Sequence, residues 1–167
     1  MIKVNVAEIK KSLVGSKKLV YEVTPEELEL SPKDLEVVGS VRFTGTITNA
    51  GDVLLLHGKV TATVKRVCGR CLEEFTALSS ADVLEKYYPA GTVATEADAL
   101  VYDGDLVDVA AALRESLVLA EPLKVLCKED CKGLCPVCGA NRNLHPCTCD
   151  TTRLDPRFSA LKELLKK

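Results

Sequence analysis

The sequence predicts an α+β fold. It has an antiparallel β-meander or partial barrel in the N-terminal half, a central amphipathic helix, and a C-terminal zinc-knuckle lobe with a short terminal helix. Three observations carry this reading. Residues 18–88 are rich in β-branched side chains in rough alternation, 106–120 carry an apolar stripe at helical spacing, and six of eight cysteines fall within 23 residues near the C-terminus. At 167 residues the chain has the length of one domain, enough to bury roughly 70% of its unfolded surface without disulfides. The expected division is a strand-rich core over 1–123, ending in a helix over 105–121, and a cysteine-rich lobe over 124–167, the two forming one compact unit.

Taken in chain order, Thr24-Pro25-Glu26-Glu27-Leu28 reads as a capped helical turn with proline at its first position. Segments 19–23, 35–49 and 53–67 read as strands, with Asn49-Ala50-Gly51-Asp52 as the turn between the last two. Val60, Ala62 and Val64 alternate with Thr61, Thr63 and Lys65, the pattern of a half-buried antiparallel strand. Residues 75–88 return from a turn at Cys68-Gly69-Arg70-Cys71. The acidic, turn-rich stretch 90–105 is expected as a surface loop. Asp105 is then the expected cap of a helix whose apolar stripe is Leu106, Val109, Ala110, Leu113, Leu117 and Ala120, ended by Pro122. Asp155-Pro156 opens a final helix over 159–167, where Lys162, Lys166 and Lys167 suit its negative end.

The cysteines carry the chemistry. In Cys135-Pro136-Val137-Cys138-Gly139 two thiolates stand three apart, proline fixes the turn, and glycine follows the second sulfur. That pattern is a zinc knuckle, in which backbone N–H groups point at the sulfurs and Gly139 takes a conformation closed to residues with a Cβ. One grouping places Cys135, Cys138, Cys147 and Cys149 around one structural Zn²⁺, and Cys68, Cys71, Cys127 and Cys131 around a second. A rival grouping takes Cys127, Cys131, Cys135 and Cys138, leaving the CGRC pair free. His145 is a substitute ligand in either scheme. A redox role for CGRC requires the pair to open a helix, whose N-terminus lowers the attacking thiol's pKa; two strand-like flanks favour a hairpin knuckle instead.

Charge is segregated. Residues 1–72 hold 11 Lys/Arg and 8 Asp/Glu, residues 73–123 hold 2 and 11, and residues 124–167 hold 9 and 5. The basic ends suit phosphates; the acidic middle suits a basic protein. Arg66 and Arg70 beside the first knuckle, Lys128, Lys132 and Arg142 around the second, and Arg157 beyond it are the residues expected to contact RNA. With no tryptophan and seven aromatic residues, a stacking platform for single strands is not expected. Two histidines, no H-E-x-x-H, no nucleophile elbow and no phosphate-binding glycine loop give no constellation for catalysis. The longest apolar run is five residues, and the charged N-terminal stretch does not read as a signal peptide, so a soluble, cytoplasmic protein is expected.

Four blocks recur in a known order: VCGRCLEEF, LVDVAAALRESLVLAEPLKVLC, CKGLCPVCGANRNLHPCTCD and DPRFSALKEL. Their combination resembles the YceD family, proteins associated with accumulation of large-subunit ribosomal RNA in bacteria and plastids. The resemblance implies a role in the synthesis, processing or stability of that RNA and no established enzymatic activity. It also singles out Arg114, Glu115, Asp155, Pro156, Arg157 and Phe158. Three classes of function follow. The first is a non-enzymatic ribosome-biogenesis factor that contacts ribosomal RNA, its precursor particles or a ribosomal protein, with no membrane and no small-molecule substrate. The second is a module that binds a basic ribosomal protein, and the third a thiol redox protein using CGRC.

Overall fold

The computed structural model describes residues 1–12, 14–92 and 99–150. In chain order the elements are β1 (Lys3–Asn5), α1 (Ala7–Lys10), β2 (Ser16–Val23), β3 (Val37–Asn49), β4 (Leu54–Val67), β5 (Glu74–Pro89), β6 (Leu100–Tyr102), β7 (Leu106–Asp108) and α2 (Ala110–Leu119). Strands β2 to β6 form one open sheet in sequence order, and β1 pairs with β7 in a second, two-stranded sheet. The long strands make an antiparallel meander, while β6 runs parallel to β5.

Alternation explains the sheet. Val60, Ala62 and Val64 of β4 are buried and share one face with Val41, Phe43 and Ile47 of β3. The polar residues between them face solvent. Gly45 and Gly58 lie opposite each other, and a Cβ on either would fall 2.5–2.7 Å from the Phe43 ring. The glycine pair therefore leaves room for Phe43 to lie flat over the backbone. At the turn, Gly51 (φ +92°) donates its N–H to the Asn49 side-chain oxygen at 3.0 Å. The buried Asn49 amide in turn donates to the carbonyls of Ile9 and Ser12, tying the hairpin to α1.

The turn after β2 is a reciprocal cap. The Glu27 carboxylate accepts the Thr24 N–H at 2.8 Å, while Thr24 Oγ1 accepts the Glu27 N–H. This places Leu28, Leu30 and Leu35 in the core, where they meet the inner faces of the strands and Ala112, Leu113 and Leu117 of α2.

The C-terminal half of this core departs from expectation in three places. The helix begins at Ala110, four residues later than the start of the apolar stripe at Leu106, because residues 106–108 pair with β1 and bury Val107. Asp105 does not cap it; Asp105 pairs with Lys10 Nζ at 2.9 Å, and Asp108 Oδ1 instead accepts the N–H groups of Ala110 and Ile2. The expected surface loop over 90–105 contains β6. The expected terminal helix over 159–167 and its Asp155-Pro156 cap lie outside the described residues.

The chain divides into two units: Met1–Arg66 with Phe75–Leu123, and Val67–Glu74 with the chain from Lys124. The first holds the apolar core; the second holds all eight cysteines.

Candidate metal centres

The first centre is built on the loop joining β4 and β5. Cys68 N–H donates to Glu73 O and Leu72 N–H donates to Cys68 O, both at 2.9 Å. This tight loop turns the N–H of Arg70 toward Cys68 Sγ at 3.5 Å. The downstream chain docks on it: Gly69 N–H donates to Val125 O, Leu134 N–H to Arg70 O, and the Arg70 guanidinium to Cys131 O at 2.8 Å. Cys68 Sγ then lies 3.8 Å from Cys131 Sγ, and Cys71 Sγ lies 3.7 Å from Cys127 Sγ.

The second centre repeats that loop. Cys135 N–H donates to Ala140 O at 2.8 Å, and Gly139 N–H donates to Cys135 O at 2.9 Å. The residue after the second cysteine is left-handed in both: Leu72 at φ +60° and Gly139 at φ +72°. Cys147 and Cys149 come back to this loop. Within each set, Cys68, Cys71, Cys127 and Cys131 or Cys135, Cys138, Cys147 and Cys149, all sulfurs lie within 4.8 Å of one another. Cys127 and Cys131 thus sit with the CGRC pair and not with Cys135 and Cys138. His145 is exposed and belongs to neither set.

These spacings match a metal site. A disulfide needs about 2.05 Å between sulfurs. Four sulfurs at about 2.3 Å from a tetrahedral zinc stand about 3.8 Å apart, close to the 3.7 and 3.8 Å found here. Electrostatics agree. The N–H of Cys71, followed by those of Cys127 and Arg70, lowers the Cys68 thiol to about 6. The N–H groups of Cys138 and Val137 lower Cys135 to about 6. Burial and neighbouring sulfurs push Cys127 up to about 12, and the Cys138 sulfur and burial do the same to Cys149. Each set therefore holds one readily ionised thiol beside another that resists ionisation, a conflict that a divalent cation removes.

Two asparagines outside the expected ligand set support the first centre. Asn143 Nδ2 reaches Cys131 Sγ at 3.4 Å, and its Oδ1 accepts the Lys132 N–H at 2.9 Å. Asn141 donates to Glu73 Oε1 and accepts the Asn143 N–H. Both asparagines lie between the last knuckle and His145, and only the fold connects them to a sulfur.

The basic residues separate into two groups. The Arg66 guanidinium is engaged by both carboxylate oxygens of Glu121 and is 12% exposed, so it is a structural cation rather than a phosphate contact. Arg70 donates one guanidinium N–H to Cys131 O and is otherwise exposed. Lys128, Lys132 and Arg142 are exposed. Arg114 pairs with Glu29 at 3.4 Å and Glu115 is exposed; Asp155, Pro156, Arg157 and Phe158 lie outside the described residues.

The profile of the family described as "Large ribosomal RNA subunit accumulation protein YceD" matches residues 56–165, a span that includes all eight cysteines. The chain belongs to the YceD family. A chloroplast YCED homolog 1 of Zea mays, named as a large ribosomal RNA subunit accumulation protein, is 29% identical over 72% of this chain and 52% of its own length. An uncharacterised protein of Mycobacterium leprae (strain TN) is 28% identical over 71% of this chain and 56% of its own. Another, of Mycobacterium tuberculosis (strain H37Rv), is 29% identical over 71% and 59%. This YceD-family chain thus spans little more than half the length of these relatives. No solved structure matches it. Among the described residues no helix is long and apolar enough to cross a membrane.

Proposed function

We propose that this chain is a non-enzymatic ribosome-biogenesis factor that supports accumulation of large-subunit ribosomal RNA. The observation that carries this reading is the YceD match over 56–165, which takes in both cysteine sets. The second unit is a small lobe held by two structural zinc ions. Zinc bound by four thiolates acts as a cross-link and keeps no open position for water. Lys128, Lys132 and Arg142 present positive charge on this lobe and are its contacts to phosphate. Residues 1–123 form the strand-rich core and 124–167 the lobe, completed by the CGRC loop. The factor acts in the cytoplasm, where large subunits assemble.

Depletion in the host tests this reading: large-subunit RNA should fall, its precursors should accumulate, and the protein should sediment with large-subunit precursor particles. Normal precursor levels on depletion would refute it.

The acidic stretch 73–123 supports a second reading, binding of a basic ribosomal protein. Crosslinks near 128–142 favour RNA contact; crosslinks near 96–108 favour protein contact. Use of CGRC as a redox pair would require Cys68 and Cys71 to be free of metal, which a zinc-to-chain ratio decides.

A further inference from the structure

Strand β5 is hydrogen-bonded to β4 on one side, but on the other it meets β6 only from Tyr87 to Pro89. Among the described residues no strand or loop backbone pairs with the other side of 75–86. That leaves a long open edge, the kind a folded protein normally blunts with charge, proline or a covering segment. On β5, Leu78 and Leu84 are each 71% exposed.

Around this edge three carboxylates stand against one exposed cation, Lys86. Asp82 and Glu85 lie on β5 and Glu115 on α2, and among the described residues none of the three has a cationic partner. Burial, and then the Glu115 charge, hold the Glu85 carboxyl above its ordinary range. A cavity of about 400 Å³ opens beside the strand, lined by Asp82, Leu84, Glu85, Ser116 and Leu119.

We propose that the open edge of β5 takes an extended basic polypeptide segment as an added strand. Its backbone pairs with 75–86, its apolar side chains cover Leu78 and Leu84, and its lysines or arginines on the opposite face meet Glu85 and Glu115. RNA would be repelled by these carboxylates, and a second copy of the chain would bring a second acidic stretch against the first. The inference rests on the reading of 73–123 as a protein-binding surface and names its geometry.

The test is a titration of the isotope-labelled full chain with a ten-residue peptide of alternating valine and lysine, followed through backbone amides. The expected result is shifts and slowed exchange within 75–86, at least tenfold weaker binding of a valine–glutamate peptide, and at least tenfold weaker binding by D82K/L84K. Both replaced residues are exposed, and an unchanged amide spectrum elsewhere confirms that this variant folds. Shifts confined to 99–108 would overturn the edge proposal while leaving an acidic protein-binding surface in place. No shifts anywhere would overturn both. Amides of 75–86 already protected in the free chain, or self-association lost in D82K/L84K, would mean that the chain covers its own edge and would also overturn the proposal.

Discussion

The two knuckles share a backbone but not a residue at its tightest point, and this yields a paired prediction. Leu72 holds φ +60°, a conformation that costs a residue with a Cβ about 1–2 kcal/mol. It is 63% exposed, so replacing it forfeits little burial. Leu72→Gly removes that cost but adds about 0.5–1 kcal/mol of chain entropy to be lost on folding. The expected net gain is about 0.5–1 kcal/mol. Gly139→Ala is the reverse change at φ +72°, where no atom lies within 4 Å of the added Cβ, so the loss is conformational and not steric. It should cost about 0.5–1 kcal/mol after the entropy it saves in the unfolded chain, about 0.4–1 kcal/mol. Because these loops order as metal binds, the changes should appear in zinc retention against a competing chelator. The expected effect is about two- to fivefold tighter for Leu72→Gly and about two- to fivefold weaker for Gly139→Ala. The double variant should return close to the parent. If both single variants moved in the same direction, the equivalence of the two loops would be refuted.

Metal analysis of the purified chain should find two zinc ions, with Cys71→Ser and Cys138→Ser each losing one and a strong chelator unfolding the segment after Leu123. The ligands must shed protons to bind, so zinc is retained at neutral pH and released as pH falls; a dye that reports free zinc follows the loss. Glu121→Gln leaves the Arg66 guanidinium without its charged partner and should cost about 1.5–3 kcal/mol in urea unfolding. Lys128→Ala and Lys132→Ala should stay within about 0.5 kcal/mol while weakening RNA association. Glu115→Gln should lower the Glu85 carboxyl part of the way toward its ordinary value, because burial is the larger cause and stays in place. A raised carboxyl contributes stability that is present below its unfolded pKa and lost as pH rises through its folded pKa. The variant should therefore lose less stability across that interval, with the Glu85 titration followed by side-chain carbon shifts.

The legibility of this fold in its sequence tracks how local each signal is. The alternation of Val60 to Lys65, the turn at Asn49–Asp52 and the Thr24–Glu27 cap depend on neighbours a few residues apart, and the structure shows each of them. The knuckle at Cys135–Gly139 was legible because its left-handed position holds glycine. Its counterpart at Cys68–Cys71 was legible from its strand-like flanks, but its left-handed position was not, because Leu72 gives no signal of a positive φ. Long-range pairing was hidden for a different reason. Residues 106–108 continue a helical stripe perfectly well; only pairing with β1, more than a hundred residues earlier, makes them a strand. Arg66 likewise looked like a phosphate ligand because Glu121, its partner, lies 55 residues away. Asn141 and Asn143 carry no sequence mark of the sulfur they support.

The first cysteine set also has a topological consequence. Its sulfurs join residue 71 to residue 127, so with metal in place the chain between them, a separation of 56 residues in sequence, forms a closed ring that includes β5, β6, β7 and α2. By analogy with a covalent cross-link, a ring of that size removes about 4 kcal/mol of entropy from the unfolded chain. A protease cut inside the ring would open it without separating the two pieces. Pairing of β1 with β7 and the shared core also hold the nicked pieces together, so the metal's share shows as a higher urea concentration needed to separate them with zinc than after a chelator is added.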